Sequence, residues 1–200
     1  KPSNKDFYNI IKTDSKDSEV ILYESGDTVT ENAILAAALS PRVTQIKYAS
    51  ANYMVQDLCK FLEVLGVEFR GIGTTTIQVK GLETINKTVE YTISPDPIEA
   101  MFFLTAAVVT KSTLSLKGCP IEFLELELYK LSKMGLRYDK SETYLGDNNF
   151  IKLVDLTIHP SNLCAPVEKI ECRPYPGVNM DNLPFFALLA TQAQGTTLIH

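Results

Sequence analysis

No CxxC pair occurs among the four cysteines, Cys59, Cys119, Cys164 and Cys172, and no His, Cys, Asp or Glu set has metal-ligand spacing. That absence argues against a zinc or redox centre, and reduced thiols in a cytoplasmic protein without metal or cofactor are expected. Basic charge is scarce. Nineteen Lys and Arg face 24 Asp and Glu for a net charge of −5, and only Arg42, Arg70, Arg137 and Arg173 are arginines. A nucleic-acid binder needs a basic face, so nucleic acid is excluded as a partner. Long apolar runs are missing too: the longest, residues 100–109, is interrupted by Thr105. It falls far short of the ~20 residues that span a bilayer, so no membrane association is expected.

What remains is an ordinary globular composition, 45% hydrophobic and 22% charged over 200 residues. Collagen, coiled coil, disordered tail and disulfide scaffold are ruled out. The length suits one large domain or two small ones.

The chain repeats itself. ILAAA at 34–38 lies over FLTAA at 103–107, an offset of 69, and the same offset brings Gly66 onto Gly135. A third copy starts near Phe186 and runs to the last residue, so the sequence is expected to be a segment of a longer protein. Each copy opens with a helix rich in small residues, near 29–40, 97–110 and 182–193. A strand follows at 44–48, 112–116 and 196–199. The next helix is amphipathic: Val55, Leu58, Leu62 and Leu65 in the first copy, Leu124, Leu128 and Leu131 in the second. Gly66 and Gly135 supply the left-handed residue that ends these helices. Two strands close the unit, as at 68–72 and 75–79 around Gly73-Thr74. The unit is βαβαββ, and such small units must pack on one another to cover their sheets. The expected division is a leader at 1–18, a first unit at 19–93, a second at 94–165 and a truncated third at 166–200.

The helix starts carry the clearest local chemistry. Thr28 with Glu31 has capping-box spacing, and so has Asp96 with Glu99, where Pro97 takes the first helical position. Asn179 or Asp181 would cap the third helix. Helix N-termini attract phosphates and carboxylates through their free N–H groups and positive dipole ends. Capping alone would also explain these residues.

Taken together, GDTVTENAILAAAL at 26–39, DLCKFLEVLGVEFRGIG at 57–73, PDPIE at 95–99 and PYPGVNMD at 174–181 resemble the enolpyruvyl transferases. The resemblance covers about residues 20–200 and is greatest to the members that act on UDP-N-acetylglucosamine. It implies an α/β fold of two lobes, each an inside-out barrel of βαβαββ units with helices at the centre and sheets outside. It also implies a crossover between lobes near 91–96. The implied reaction moves the enolpyruvyl group of phosphoenolpyruvate to the 3-hydroxyl of UDP-N-acetylglucosamine, by addition and then loss of phosphate. Asp181 would be the catalytic base or would hold the sugar hydroxyl. Ser25, Gly26, Asp27 and Thr28 would meet the diphosphate, with a register open by one or two positions.

Three departures mark a divergent member. Asp27 puts an acid where a phosphate would approach, Pro97 stands where the family commonly has Arg, and another family Arg is missing near Ala51-Asn52. The loop with the general-acid cysteine and the Lys-Asn pair would precede Lys1, so the segment is expected to be inactive without the remainder of its own chain. Cys119 has no glycine-rich loop and reads as structural, as do the other cysteines, His159 and His200. The alternatives are a shikimate-phosphate enolpyruvyl transferase and a non-catalytic paralogue that binds a nucleotide sugar or a partner protein. RNA 3′-terminal phosphate cyclase shares the architecture but is disfavoured by the charge.

Overall fold

A computed structural model describes residues 18–200, so all of the expected leader but its last residue lies outside the described residues. The first half runs β1 (Glu19–Ile21), α1 (Asp27–Ala38), β2 (Val43–Lys47), α2 (Tyr53–Leu65), β3 (Glu68–Arg70) and β4 (Thr76–Lys80). This is the expected βαβαββ order. The strands form one sheet in the order β1-β2-β4-β3, parallel only between β1 and β2. Period-2 alternation sends Ile46, Ile77 and Val79 inward against Ile34 of α1 and Val55, Cys59 and Leu62 of α2. Gln45, Gln78 and Arg70 stand opposite one another on the outer face. Each large aliphatic side chain buried this way contributes about 1.5–3 kcal/mol.

The helix ends follow local chemistry. Asn52 caps α2 by accepting from the Tyr53 N–H at 2.9 Å, and Gly66 ends it at φ 107°, a conformation only glycine adopts without strain. Asp96 caps α3, accepting from the Ile98 N–H at 2.8 Å, with Pro97 next to it as expected.

The second half runs α3 (Pro97–Val109), β5 (Leu114–Pro120), a 3-10 turn (Ile121–Phe123), α4 (Glu125–Met134), β6 (Arg137–Lys140), β7 (Tyr144–Leu145) and β8 (Lys152–His159). A second 3-10 turn, Met180–Asn182, leads into α5 (Leu183–Ala190). Here β8 is central, pairing antiparallel with β5, β6 and β7. Val154, Leu156 and Ile158 point from it into a core shared with Met101, Leu104, Leu128, Leu131 and Phe186.

This half departs from the expected unit. No strand opens it: residues 81–96 connect β4 to α3 without regular secondary structure. Asp57 of α2 fastens this connector, accepting from the Ser94 N–H at 3.0 Å, the Ser94 hydroxyl at 2.6 Å and the Tyr91 hydroxyl at 3.0 Å. An extra short strand, β7, enters before β8. The strand expected at 196–199 reduces to a bridge between Ile170 and Ile199.

The repeat offset also shifts. Gly66 and Gly135 both end helices in left-handed geometry, at φ 107° and 103°, which fits 69. In the first helices, however, Ile34 is 0% exposed and Phe103 is 43% exposed, whereas Leu104 is 1% exposed. Packing therefore equates Ile34 with Leu104, because core position rather than letter similarity sets the register. The architecture is mixed α/β, with helices against one face of each sheet, and neither sheet closes into a barrel among the described residues. No helix there is long and apolar enough to cross a membrane.

Candidate functional site

A cavity of about 320 Å³ lies between the two halves. One wall is the start of α1 with residues 50–53, and the other is the segment 172–182 backed by Phe123 and Glu127. Of the residues singled out in the sequence, Ser25, Gly26, Asp27 and Asp181 line it. Thr28 does not. Thr28 is exposed, and the expected capping box with Glu31 is not formed: Gly26 is the N-cap, in extended conformation and with no side-chain cap bond. The Gly26 carbonyl accepts from both the N–H and the hydroxyl of Thr30, at 3.1 and 2.6 Å. The Thr30 oxygen in turn accepts from the Ser50 N–H at 2.9 Å.

Asp27 explains the change. As the first residue of α1 it takes up the positive end of the helix, and its carboxylate accepts from the Ser50 hydroxyl and, at 2.9 Å, from Asn52 Nδ2. Asn52 is also the cap of α2, so the starts of two helices meet at one internal carboxylate. A phosphate approaching here would meet a negative charge already satisfied. Ser25 is occupied as well, donating to the Ala49 carbonyl at 3.2 Å.

An aromatic row joins the two walls. Tyr53 packs on Phe123 with ring centroids 5.8 Å apart, and Phe123 packs on Tyr175 at 5.3 Å. Burial, then the charge of Asp96 and its hydrogen bond, then Asp181 and Asp27, push the Tyr53 phenol far above its ordinary range. It stays a proton donor among three carboxylates. Burial also raises the Tyr175 phenol, with Glu122 and Glu125 adding to it.

Asp181 sits in the 3-10 turn before α5, exposed to the cavity. Neither candidate caps α5, which starts after Asn182 with no side-chain cap bond; Asn179 caps the 3-10 turn instead, its side chain accepting from the Asp181 N–H at 2.9 Å. The Asp181 carboxylate is not spent on capping. Arg173 and Glu127 are among the cavity residues that escaped the sequence reading. Arg173 brings a cation, paired with Glu171 at 3.0 Å. Glu127 is 3% exposed, and a signal for it existed: it lies at helical spacing on the stripe of Leu124, Leu128 and Leu131, where a carboxylate is out of place.

The thiols sort by burial. Cys59 and Cys119 are buried, and burial pushes them up to about 12 and about 11. Cys164 is exposed, and Cys172 is half-buried on the cavity wall. His159 pairs with Asp139 at 2.8 Å, away from the cavity. Among the described residues no group of three or more His, Cys, Asp or Glu side chains could hold a metal ion.

The sheets, the helix starts facing the cavity and the Pro174–Asp181 segment belong to one class. The profile of the EPSP synthase (3-phosphoshikimate 1-carboxyvinyltransferase) family matches residues 8–200, and the chain belongs to that family. Among its relatives, a UDP-N-acetylglucosamine 1-carboxyvinyltransferase of Sulfurimonas denitrificans is 36% identical over 86% of this chain and 38% of its own length. One from Bacteroides fragilis is 29% identical over 98% of this chain and 44% of its own. The enolpyruvyl transferase NikO from Streptomyces tendae superposes with a TM-score of 0.68 at 28% identity, over 86% of this chain and 39% of its own. EPSP synthase from Acinetobacter baumannii, at 18% identity and a TM-score of 0.67, shares the fold. The chain thus spans about two fifths of the length of these relatives.

Proposed function

We propose that the protein carrying this chain transfers the enolpyruvyl group of phosphoenolpyruvate to the 3-hydroxyl of UDP-N-acetylglucosamine, a step in peptidoglycan precursor synthesis in the cytoplasm. The acceptor oxygen bonds to C2 of phosphoenolpyruvate while a proton is added at C3. Loss of phosphate and of a C3 proton then restores the double bond. In this reading Asp181 takes the hydroxyl proton or holds the hydroxyl for attack, and Ser25, Gly26 and Asp27 shape the acceptor end of the cleft. The general acid and the main phosphate clamp come from the remainder of the protein.

The observation that carries the reading is the Asp181 carboxylate, which faces the cavity while Asn179 does the capping. A carboxylate that faces the cavity can accept a proton from a hydroxyl bound there. The names of the relatives support the acceptor. Asp27 favours a second reading, an acceptor that puts no diphosphate at the start of α1, such as shikimate 3-phosphate.

Phosphate release by the full-length protein, with phosphoenolpyruvate and either acceptor, decides between them. Turnover with UDP-N-acetylglucosamine, lost by ~10²–10⁴-fold in Asp181→Asn with melting unchanged, is the expected result. The cap is Asn179, so Asp181→Asn leaves it in place, and a silent substitution would remove Asp181 from the chemistry. Turnover with shikimate 3-phosphate alone would establish the second reading.

A further inference from the structure

We propose that Glu127 is a positioning residue, holding the Asn179–Asn182 turn from beneath so that the Asp181 carboxylate stands in the cleft. The proposal rests on the reading of Asp181 above. Glu127 is 3% exposed on the buried face of α4, among leucines that gain nothing from a carboxylate. A carboxylate taken out of water is costly unless it is hydrogen-bonded, so its partners show what it is for. Glu127 Oε1 accepts from the Asn179 N–H at 3.3 Å and from Asn182 Nδ2 at 3.0 Å. Those two residues flank Asp181 on either side. Within the turn, the Asn179 side chain accepts from the Asp181 N–H at 2.9 Å, and the Asn179 carbonyl accepts from the Asn182 N–H at 3.0 Å.

Asp181 is thus the exposed member of a turn whose other fastenings are buried. Asn182 is 1% exposed, and a carboxylate that accepts from it fixes which way its amide faces: Nδ2 toward Glu127, Oδ1 buried without a partner. An amide left so under-satisfied is not placed for its own sake. It marks a turn oriented by the bond to Glu127.

The test compares Glu127→Gln and Glu127→Leu in the full-length protein. Gln keeps an oxygen that accepts from Asn179 and Asn182, so turnover within about threefold of wild type is expected, following the retained hydrogen bonds. Leu has no acceptor. A loss of kcat of about 10²-fold with KM nearly unchanged is expected, as for a reacting group displaced by about 1 Å. Amide hydrogen exchange at residues 179–182 should rise in Glu127→Leu and stay at the wild-type level in Glu127→Gln and Asp181→Asn.

If Glu127→Leu does not fold, Asn182→Ser breaks the side-chain bond and leaves Glu127 its bond to the Asn179 N–H. The same rise in exchange and fall in kcat are then expected. Unchanged exchange at 179–182 in the variant that folds overturns the proposal, whatever the turnover. So does an equal loss of kcat in Glu127→Gln and Glu127→Leu, which would place the effect in the charge. An active Asp181→Asn with faster exchange in Glu127→Leu would instead overturn the reading of Asp181 and leave Glu127 as the anchor of the turn.

Discussion

The Tyr53 hydroxyl donates to Asp96 Oδ1 at 3.0 Å, and the same oxygen accepts from the Ile98 N–H at 2.8 Å to cap α3. One carboxylate thereby joins the start of α2, which packs on the first sheet, to the start of α3, which packs on the second. The bond is exposed, so Tyr53→Phe should lower stability by no more than about 1 kcal/mol. The aromatic row should persist, since phenylalanine keeps the ring. Denaturant midpoints of the wild type and variant measure the loss. A cost above about 3 kcal/mol would show that the two halves depend on this bond to fold.

Asp27 is predicted to matter for stability and against anions. Asp27→Ala leaves the Ser50 hydroxyl and Asn52 Nδ2 without their acceptor and should cost about 1–3 kcal/mol. Asp27→Asn keeps an acceptor oxygen and should cost less. Removing the charge also frees the start of α1, so calorimetry should find UDP bound more tightly by Asp27→Ala than by the wild type. Weaker binding would mean that the diphosphate site lies elsewhere.

Thiol labelling should divide the cysteines in two. Cys59 and Cys119 are buried with thiols pushed up to about 12 and about 11, which leaves almost no thiolate at mildly alkaline pH. Iodoacetamide should modify Cys164 and Cys172 first, and the buried pair only on unfolding. Early mass gain at Cys59 would show that α2 opens far more readily than its packing implies.

Asp155 gives the pH dependence. Lys117 donates to it at 2.6 Å, the Gly118 N–H at 3.1 Å and the Tyr144 hydroxyl at 2.8 Å, and together they hold its carboxyl down at about 2. An unfolded Asp titrates near ~3.9, so the folded state binds fewer protons in between. The contribution is complete above about pH 4 and is lost as the pH falls to about 2. Asp155→Asn should flatten acid destabilisation across that window, read from melting temperature against pH. An unaltered slope would show that the three donors do not depress the carboxyl.

The parts of the fold that could be read from the residues are those governed locally. The stripes of α2 and α4, their glycine ends and the Asp96-Pro97 start depend on neighbours within a turn or two. Thr28 misleads because Asp27 is recruited by Ser50 and Asn52, more than twenty residues away, and no capping rule contains that contact. The strand at 196–199 is reduced to one bridge from Ile199 to Ile170, a partner that no local pattern names. Asp181 is singled out as a candidate through resemblance alone. Its freedom from capping needed the geometry of Asn179.

The fastening of the connector by Asp57 reaches as far as Ser94, which leaves Pro95 and Asp96 as the whole of the slack before α3. Proline fixes φ near about −65°, and both Pro95 and Pro97 do so here. The joint between the two sheets therefore has few dihedrals left to turn. The passage from one sheet to the other is thereby a short strut, tied at Ser94 and capped at Asp96, rather than a slack loop.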